Sequence, residues 1–427
     1  MEHTIGGRGV GDDDADTTGG AETGPALEVA CDESGSDGEN LTGGNTDVFA
    51  HAGVHVPVAA AALALDEVRD RIRSPAEEYK ANHLLREKHR RVLEWLLAPG
   101  GPIHGRAGVH LTEKAYFVVD RVTGLLLGDP RAAAALYRTG RRDLGEEGWL
   151  AFLAAANRLL RARDDGDPLA PAVHFRTTLD ALRAARPGTP AAGLLDRLAE
   201  QRDRAEAYRA GLSGGANGHI PVLEPLLPAI VSTAAHWSAG GRAVRLVHDR
   251  QNILTPERIA WVEESARRAG IRLSGLELVV ARSDARVQLA DFLAGTARRI
   301  ASEELNGRGD PALTALLRPY VVATSVWATP GAGAPSPRTP ARRSTWPVDV
   351  PPGRTSPPPV NTRAPGAVWR GGTPLGGGPR GARAPRCSGS GAMHEARTTT
   401  GRPASDTAGG RRRTPPGGHD GDARRRE

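Results

Sequence analysis

After Trp327 the composition of this chain changes abruptly. Residues 328 to 427 hold 17 Pro and 18 Gly against one Leu, no Ile and no Phe. A segment with so little apolar surface cannot offset the entropy of ordering it. The break therefore confines any packed core to the residues before it. The same segment carries 17 Arg, no Lys and 6 acidic residues, a net of +11, while the whole chain is +6. Residues 1 to 327 then sum to about −5, so the basic balance belongs to the tail, and it is no nucleic-acid footprint on the folded part. GC-rich coding DNA read in the wrong frame gives this kind of product, so the tail reads as a frameshifted or misassigned end.

The opening 24 residues are an acidic counterpart, rich in Gly, Thr and Asp with one Arg. They read as disordered and lack the basic start and apolar core of a signal peptide. No window reaches the apolar length needed to cross a bilayer. Two cysteines, Cys31 and Cys387, make no disulfide framework. These features predict a soluble cytoplasmic protein with no membrane partner. One domain is expected over 25–327.

Within it, residues 26 to 33 and 47 to 58 read as strands joined by a Gly/Asn-rich loop. "AAAALALDEVRDRIRS" reads as a helix, and a long helix is expected over "PAEEYKANHLLREKHRRVLEWLL", opened by Pro75 and closed before Pro99-Gly-Gly-Pro102. "KAYFVVDRVTGLLL" begins like a strand. Residues 130 to 218 are rich in Ala, Leu and Arg at helical spacing and form an α-helical insertion. "LPAIVSTAAHWS", "RAVRLVHDRQ" and "IRLSGLELVVARS" read as strands. "TPERIAWVEESARRAG" is a helix closed by Gly270, and "DARVQLADFLAGTARRIASEEL" is a helix. Strands, then helices, then β and α in alternation predict a mixed α/β sheet interrupted by a helical insert.

The carboxylates are the chemically informative residues. Asp32, in "EVACDESG", ends the first strand, where open α/β sheets gather their ligands; a turn acid ahead of Gly35 is the competing reading. Asp249, in "RLVHDRQ", ends a later strand, with a turn or capping role as its alternative. Two strands each ending in Asp point to a shared site if the strands are neighbours. Asp291, in "VQLADFLAG", lies on a helix apolar almost all round. A carboxylate there must be paired, protonated or bound to a cation; Arg298 and Arg299 are the candidate partners. Asp284 and Gln288 share its helical face. Glu78 continues an inward-facing stripe, but a solvated first-turn acid explains it as well.

Together "CDESG", "EYK" after the second strand, "VHD" on a later strand and a final "VQLADFLAG" helix resemble domain of unknown function 3800, whose members are similar to the ribonuclease H-like fold. "SPAEEYKANHLLR", "HLTEKAYFVVDRV" and "LLRPYVVATSVWA" resemble an actinobacterial branch of it. The resemblance spans about residues 26 to 327. It implies a sheet of about five strands with helices on both faces. It also implies a carboxylate cluster drawn from the first strand, a later strand and the last helix. Carried over, that cluster is Asp32, Glu78, Asp249 and Asp291, with Glu33, Lys80 and Asp284 near it; Gln288 supports it from the shared helical face. Glu78 is favoured over Glu77 by the Glu-x-Lys pattern.

Such a set suits Mg²⁺ or Mn²⁺, which take carboxylate oxygens and water and require neither Cys nor His. Two ions about 4 Å apart activate a water and stabilise the leaving oxygen of a phosphodiester. The expected function is a metal-dependent nuclease or related phosphodiester-processing enzyme, with nucleic acid as the implied partner. The rival is a non-catalytic nucleic-acid-binding or protein-interaction module on the same fold. His51, His55, His104 and His110 lie in separate elements without zinc-ligand spacing and read as ordinary strand and loop histidines.

Overall fold

A computed structural model describes residues 25–73, 79–162, 166–213 and 220–326. The acidic start and the Arg/Pro/Gly tail lie outside these residues, as does the proposed frame change. The described elements run β1 (Leu27–Ser34), β2 (Val48–Val54), α1 (Val58–Ile72), α2 (Ala81–Leu84), α3 (Arg90–Leu97), β3 (Ala107–Glu113) and α4 (Lys114–Leu127). There follow α5 (Pro130–Leu160), α6 (Ala170–Ala185), α7 (Pro190–Ala199), α8 (Arg202–Ser213) and α9 (Leu226–Trp237). The chain closes with β4 (Val244–Asp249), α10 (Pro256–Arg268), β5 (Leu273–Val279), α11 (Ala285–Leu305) and α12 (Pro311–Leu317).

The five strands form one mixed sheet in the order β3-β2-β1-β4-β5. β1, β2 and β3 are an antiparallel meander, while β4 runs parallel to β1 and β5 parallel to β4. Every residue of β2 is buried, as are Val29 to Asp32 of β1. That is the pattern of central strands covered on both faces. One face packs Val48, Ala50, Ala52 and Val54 against Leu289, Phe292 and Leu293 of α11, with α1 and α3 beside it. The other packs Val29, Cys31, Phe49 and Leu246 against Leu226, Ile230 and Val262 of α9 and α10. The outer edge of β3 is covered by the segment 321–326, where Val322 and Val326 donate to the carbonyls of Val109 and Leu111. The insertion α5–α8 joins α4 in its own core around Trp149, Phe152 and Phe175.

The α/β class, the flanked mixed sheet and the helical insertion stand as expected, and three local expectations do not. "LPAIVSTAAHWS" is the helix α9. Its buried residues Leu226, Leu227, Ile230, Thr233 and Ala234 follow helical spacing, but a short apolar run rich in Ile and Val does not declare its period. "KAYFVV" opens the helix α4, and the strand is the stretch just before it, "AGVHLTE", every residue of which after Ala107 is buried. The single long helix after Pro75 is instead the four-residue α2, a 3-10 turn at Glu87–His89 and α3. Tertiary contacts of α2 with α11, described next, override the local helical preference.

Candidate carboxylate site at the strand ends

Cys31 registers with His248 across the parallel pair β1/β4. Asp32 and Asp249 therefore follow at one level, on adjacent strands about 4.8 Å apart. Side chains at matching positions of parallel strands point to the same face, here the one covered by α11. Asp32 is 4% exposed, and its Oδ1 accepts the Glu33 N–H at 2.8 Å. Asp249 Oδ1 accepts the Ala281 N–H at 2.9 Å. Gln288 braces the same turn by donating to the Ala281 carbonyl at 3.4 Å.

Asp291 enters from α11, and its Oδ2 accepts the Ala81 N–H of α2 at 3.2 Å. That approach is possible because residue 295, one turn on, is Gly: a Cβ there would collide with the Ala81 side chain. β1, β4, α2 and α11 thus meet around one group of acids. Burial, then Glu33, then Asp291, and least of these Asp249, push the Asp32 carboxyl up to about 9. Burial likewise raises Glu33 to about 7. Asp32 thus resists ionising beside its acidic neighbours.

The neighbouring residues take separate roles. Asp284 caps α11, accepting the Arg286 N–H at 2.8 Å and pairing with the Arg286 guanidinium at 2.7 Å. Burial alone would raise its carboxyl, and the Arg286 bonds outweigh that and hold it below the usual range. Lys80 is exposed at the start of α2, where its backbone N–H donates to His83 Nδ1 at 3.2 Å. Glu78 lies outside the described residues. Neither arginine considered for Asp291 pairs with it: Arg298 Nε donates to Ser34 Oγ at 3.0 Å, and Arg299 pairs with Glu303.

The donors suit a hard divalent ion: they are carboxylate oxygens that press on Asp32 at a strand end. The spacing is more open. Among the described residues no three His, Cys, Asp or Glu side chains stand close enough together to hold a metal ion. Asp249 and Asp291 are each within electrostatic reach of Asp32 without the three forming a closed coordination shell.

On the opposite face of the same strands lies a polar network the sequence reading missed. His248 Nδ1 contacts the Asp249 carbonyl at 2.7 Å, which can only accept, so that nitrogen carries the proton. His248 Nε2 is then an acceptor, and it faces His51 Nε2 at 3.1 Å. His51 must donate there, and its Nδ1 accepts from Thr233 Oγ1 at 2.8 Å. Burial holds His51 and His248 below the usual imidazole value. Glu33 Oε2 sits 3.9 Å from His248 Nε2 yet has no hydrogen-bond partner. At that distance the two are beyond hydrogen-bond reach, and in this tautomer Nε2 has no proton to give. His110 pairs with His51 across β2/β3 and bonds Ser232 on α9 at 3.0 Å. The alternation of "FAHAGVH" and "GVHLTE" was the available signal, since it places these histidines on one face once the strands are paired.

No helix among the described residues is long and apolar enough to cross a membrane. No family model, curated protein or solved structure matches the chain.

Proposed function

We propose that the chain is a Mg²⁺- or Mn²⁺-dependent phosphodiester-processing enzyme, a nuclease in the leading case, on a ribonuclease H-like fold of the domain of unknown function 3800 type. The observation that carries the reading is the environment of Asp32. A carboxylate 4% exposed is pressed by Glu33, Asp291 and Asp249 from its own strand, a helix and a neighbouring strand. Such a group takes either a proton or a cation. The resemblance drew the cluster from the first strand, a later strand and the last helix, and these acids come from β1, β4 and α11.

In this reading Asp32, Asp249 and Asp291 hold the ion, and Glu78 joins them or orients water. The ion supplies an activated water and charge neutralisation at the leaving oxygen. The protein's own groups fix the geometry: the Ala281 and Ala81 amides each hold one oxygen of Asp249 and Asp291. Lys80, exposed at the start of α2, would contact a phosphate in this reading.

The test is hydrolysis of single- and double-stranded DNA and RNA by the full chain with Mn²⁺, with and without Asp32→Asn. The substitution should abolish cleavage, and cleavage that survives it refutes the assignment. The open spacing of the acids favours a second reading, a non-catalytic module. A melting shift with Mn²⁺ that disappears in Asp291→Asn supports the enzyme, and no ion effect in the wild type supports the module.

A further inference from the structure

Two residues past Asp32, on the same face of β1, Ser34 Oγ accepts a hydrogen bond from Arg298 Nε. Arg298 lies seven residues beyond Asp291, on the same face of α11. The next residue of the strand end is Gly35, at φ +92°; a Cβ there would lie 2.5 Å from the Val48 carbonyl and 2.7 Å from Arg298 Cδ. The stretch Asp-Glu-Ser-Gly thus does more than present an acid. Its serine grips an arginine, and its glycine makes room for that arginine's stem.

That cation is half-buried and has no counter-ion in contact. Beyond the Ser34 bond, its guanidinium makes no hydrogen bond or ion pair among the described residues. Asp47 and Asp37 attract it without touching it: Asp37 is bonded to Lys114 and Thr46, and one oxygen of Asp47 to Asn306. A partly desolvated guanidinium with no anion in contact is costly, and its planar fork matches a phosphate's paired oxygens. Ser34, to which it is bonded, stands about 7 Å past Asp32 along the strand. That is too far to neutralise the acids and suits a contact to the same bound anion.

Resting on the function proposed above, we infer that Arg298 is the phosphate-binding residue of this site, held by Ser34 and Gly35 to grip the nucleic-acid backbone beside the carboxylates. Its outer Nη atoms would receive the backbone phosphate, so it contributes to affinity equally across sequences.

The experiment uses the full chain and four fluorescein-labelled 20-mers, single- and double-stranded DNA and RNA, in Ca²⁺ to hold off cleavage. Anisotropy gives the affinity of the tightest probe at several salt concentrations. Arg298→Gln should weaken it about tenfold and flatten the slope of log affinity against log salt by about 0.7 to 0.9, the loss of one phosphate contact. Arg298→Lys should recover part of the affinity, since it restores the charge without the fork. The Mn²⁺ melting shift should stay unchanged in both. Unaltered affinity and slope in Arg298→Gln overturn the inference, as does a wild type that binds none of the probes. Joint loss of binding and of the Mn²⁺ shift also overturns it, because that reports general damage. If the wild type shows no Mn²⁺ shift while Arg298→Gln still loses affinity, the metal reading falls and the arginine assignment stands.

Discussion

Asp32→Asn should stabilise the metal-free protein at pH 8. The folded-state value of Asp32 is raised to about 9, by burial first and by Glu33, Asp291 and Asp249 after it. The unfolded value is near 3.9. Between these values the folded chain binds a proton that the unfolded chain has released, so stability falls as pH rises through that window. At about 1.4 kcal/mol per pK unit, the four units up to pH 8 set a ceiling near 5–6 kcal/mol. Relaxation at a strand end reduces the cost of a buried charge to several kcal/mol, and about 3 kcal/mol is the working figure. Asparagine removes that cost and keeps the oxygen that accepts the Glu33 N–H.

For a folded part of roughly 300 residues, 3 kcal/mol corresponds to about 5 °C in Tm. Calorimetry in EDTA should therefore place Asp32→Asn about 5 °C above wild type at pH 8. The gap should shrink to about 1 kcal/mol at pH 4.5, because that pH lies only about half a unit above the unfolded value and little of the linkage has yet accumulated. Mn²⁺ at a hundred times its Kd should then lift the wild type by about 2.7 kcal/mol and leave the variant unmoved. A variant that melts below wild type in EDTA at pH 8, or a gap equal at both pH values, refutes the argument that Asp32 is held under electrostatic stress.

Gly35→Ala should lower stability by about 1–3 kcal/mol from the backbone conformation alone, read as a lower denaturant midpoint; an unchanged midpoint would mean that φ +92° is not required. Lys114 is 1% exposed and bridges Asp37 and Thr46 across the loop after β1, so Lys114→Met should cost on the order of 3 kcal/mol by stranding Asp37. Acid should expose the histidine network. Burial lowers His110 to about 4 and also lowers His51 and His248, whereas the unfolded chain takes up protons near pH 6.5. Stability present above that pH is then lost as pH falls toward 5. Asp32→Asn, which removes the opposing slope, should show this most clearly in urea midpoints, and a flat profile there would rule it out.

The acids were legible because charge in apolar company is conspicuous: Asp291 inside "VQLADFLAG" needed no structure to demand an explanation. That Asp32 and Asp249 share a level was legible only conditionally, since it required β1 and β4 to be neighbours, a fact of long-range pairing. Asp284 illustrates the opposite failure. Helical offset put it on the face of Asp291, but it sits at the N-cap, where bonds to Arg286 use its carboxylate. α9 was misread for a different reason. Its Ile-Val-Ser-Thr run fits either element, and what decides is the sheet face beneath it, filled by Val29, Cys31 and Leu246.

The alternation of β1 is what gives Asp-Glu-Ser its meaning. Asp32 and Ser34 face α11, and Glu33 between them faces the histidines behind the sheet. One strand end therefore joins two environments through adjacent carboxyls, and their influence on each other is unequal. Repulsion from Glu33 adds to the burial that raises the proton affinity of Asp32, whereas a hydrogen bond with Asp32 works against the burial that raises Glu33. The acid under most stress is therefore the one on the α11 face, where Asp249 and Asp291 also press on it.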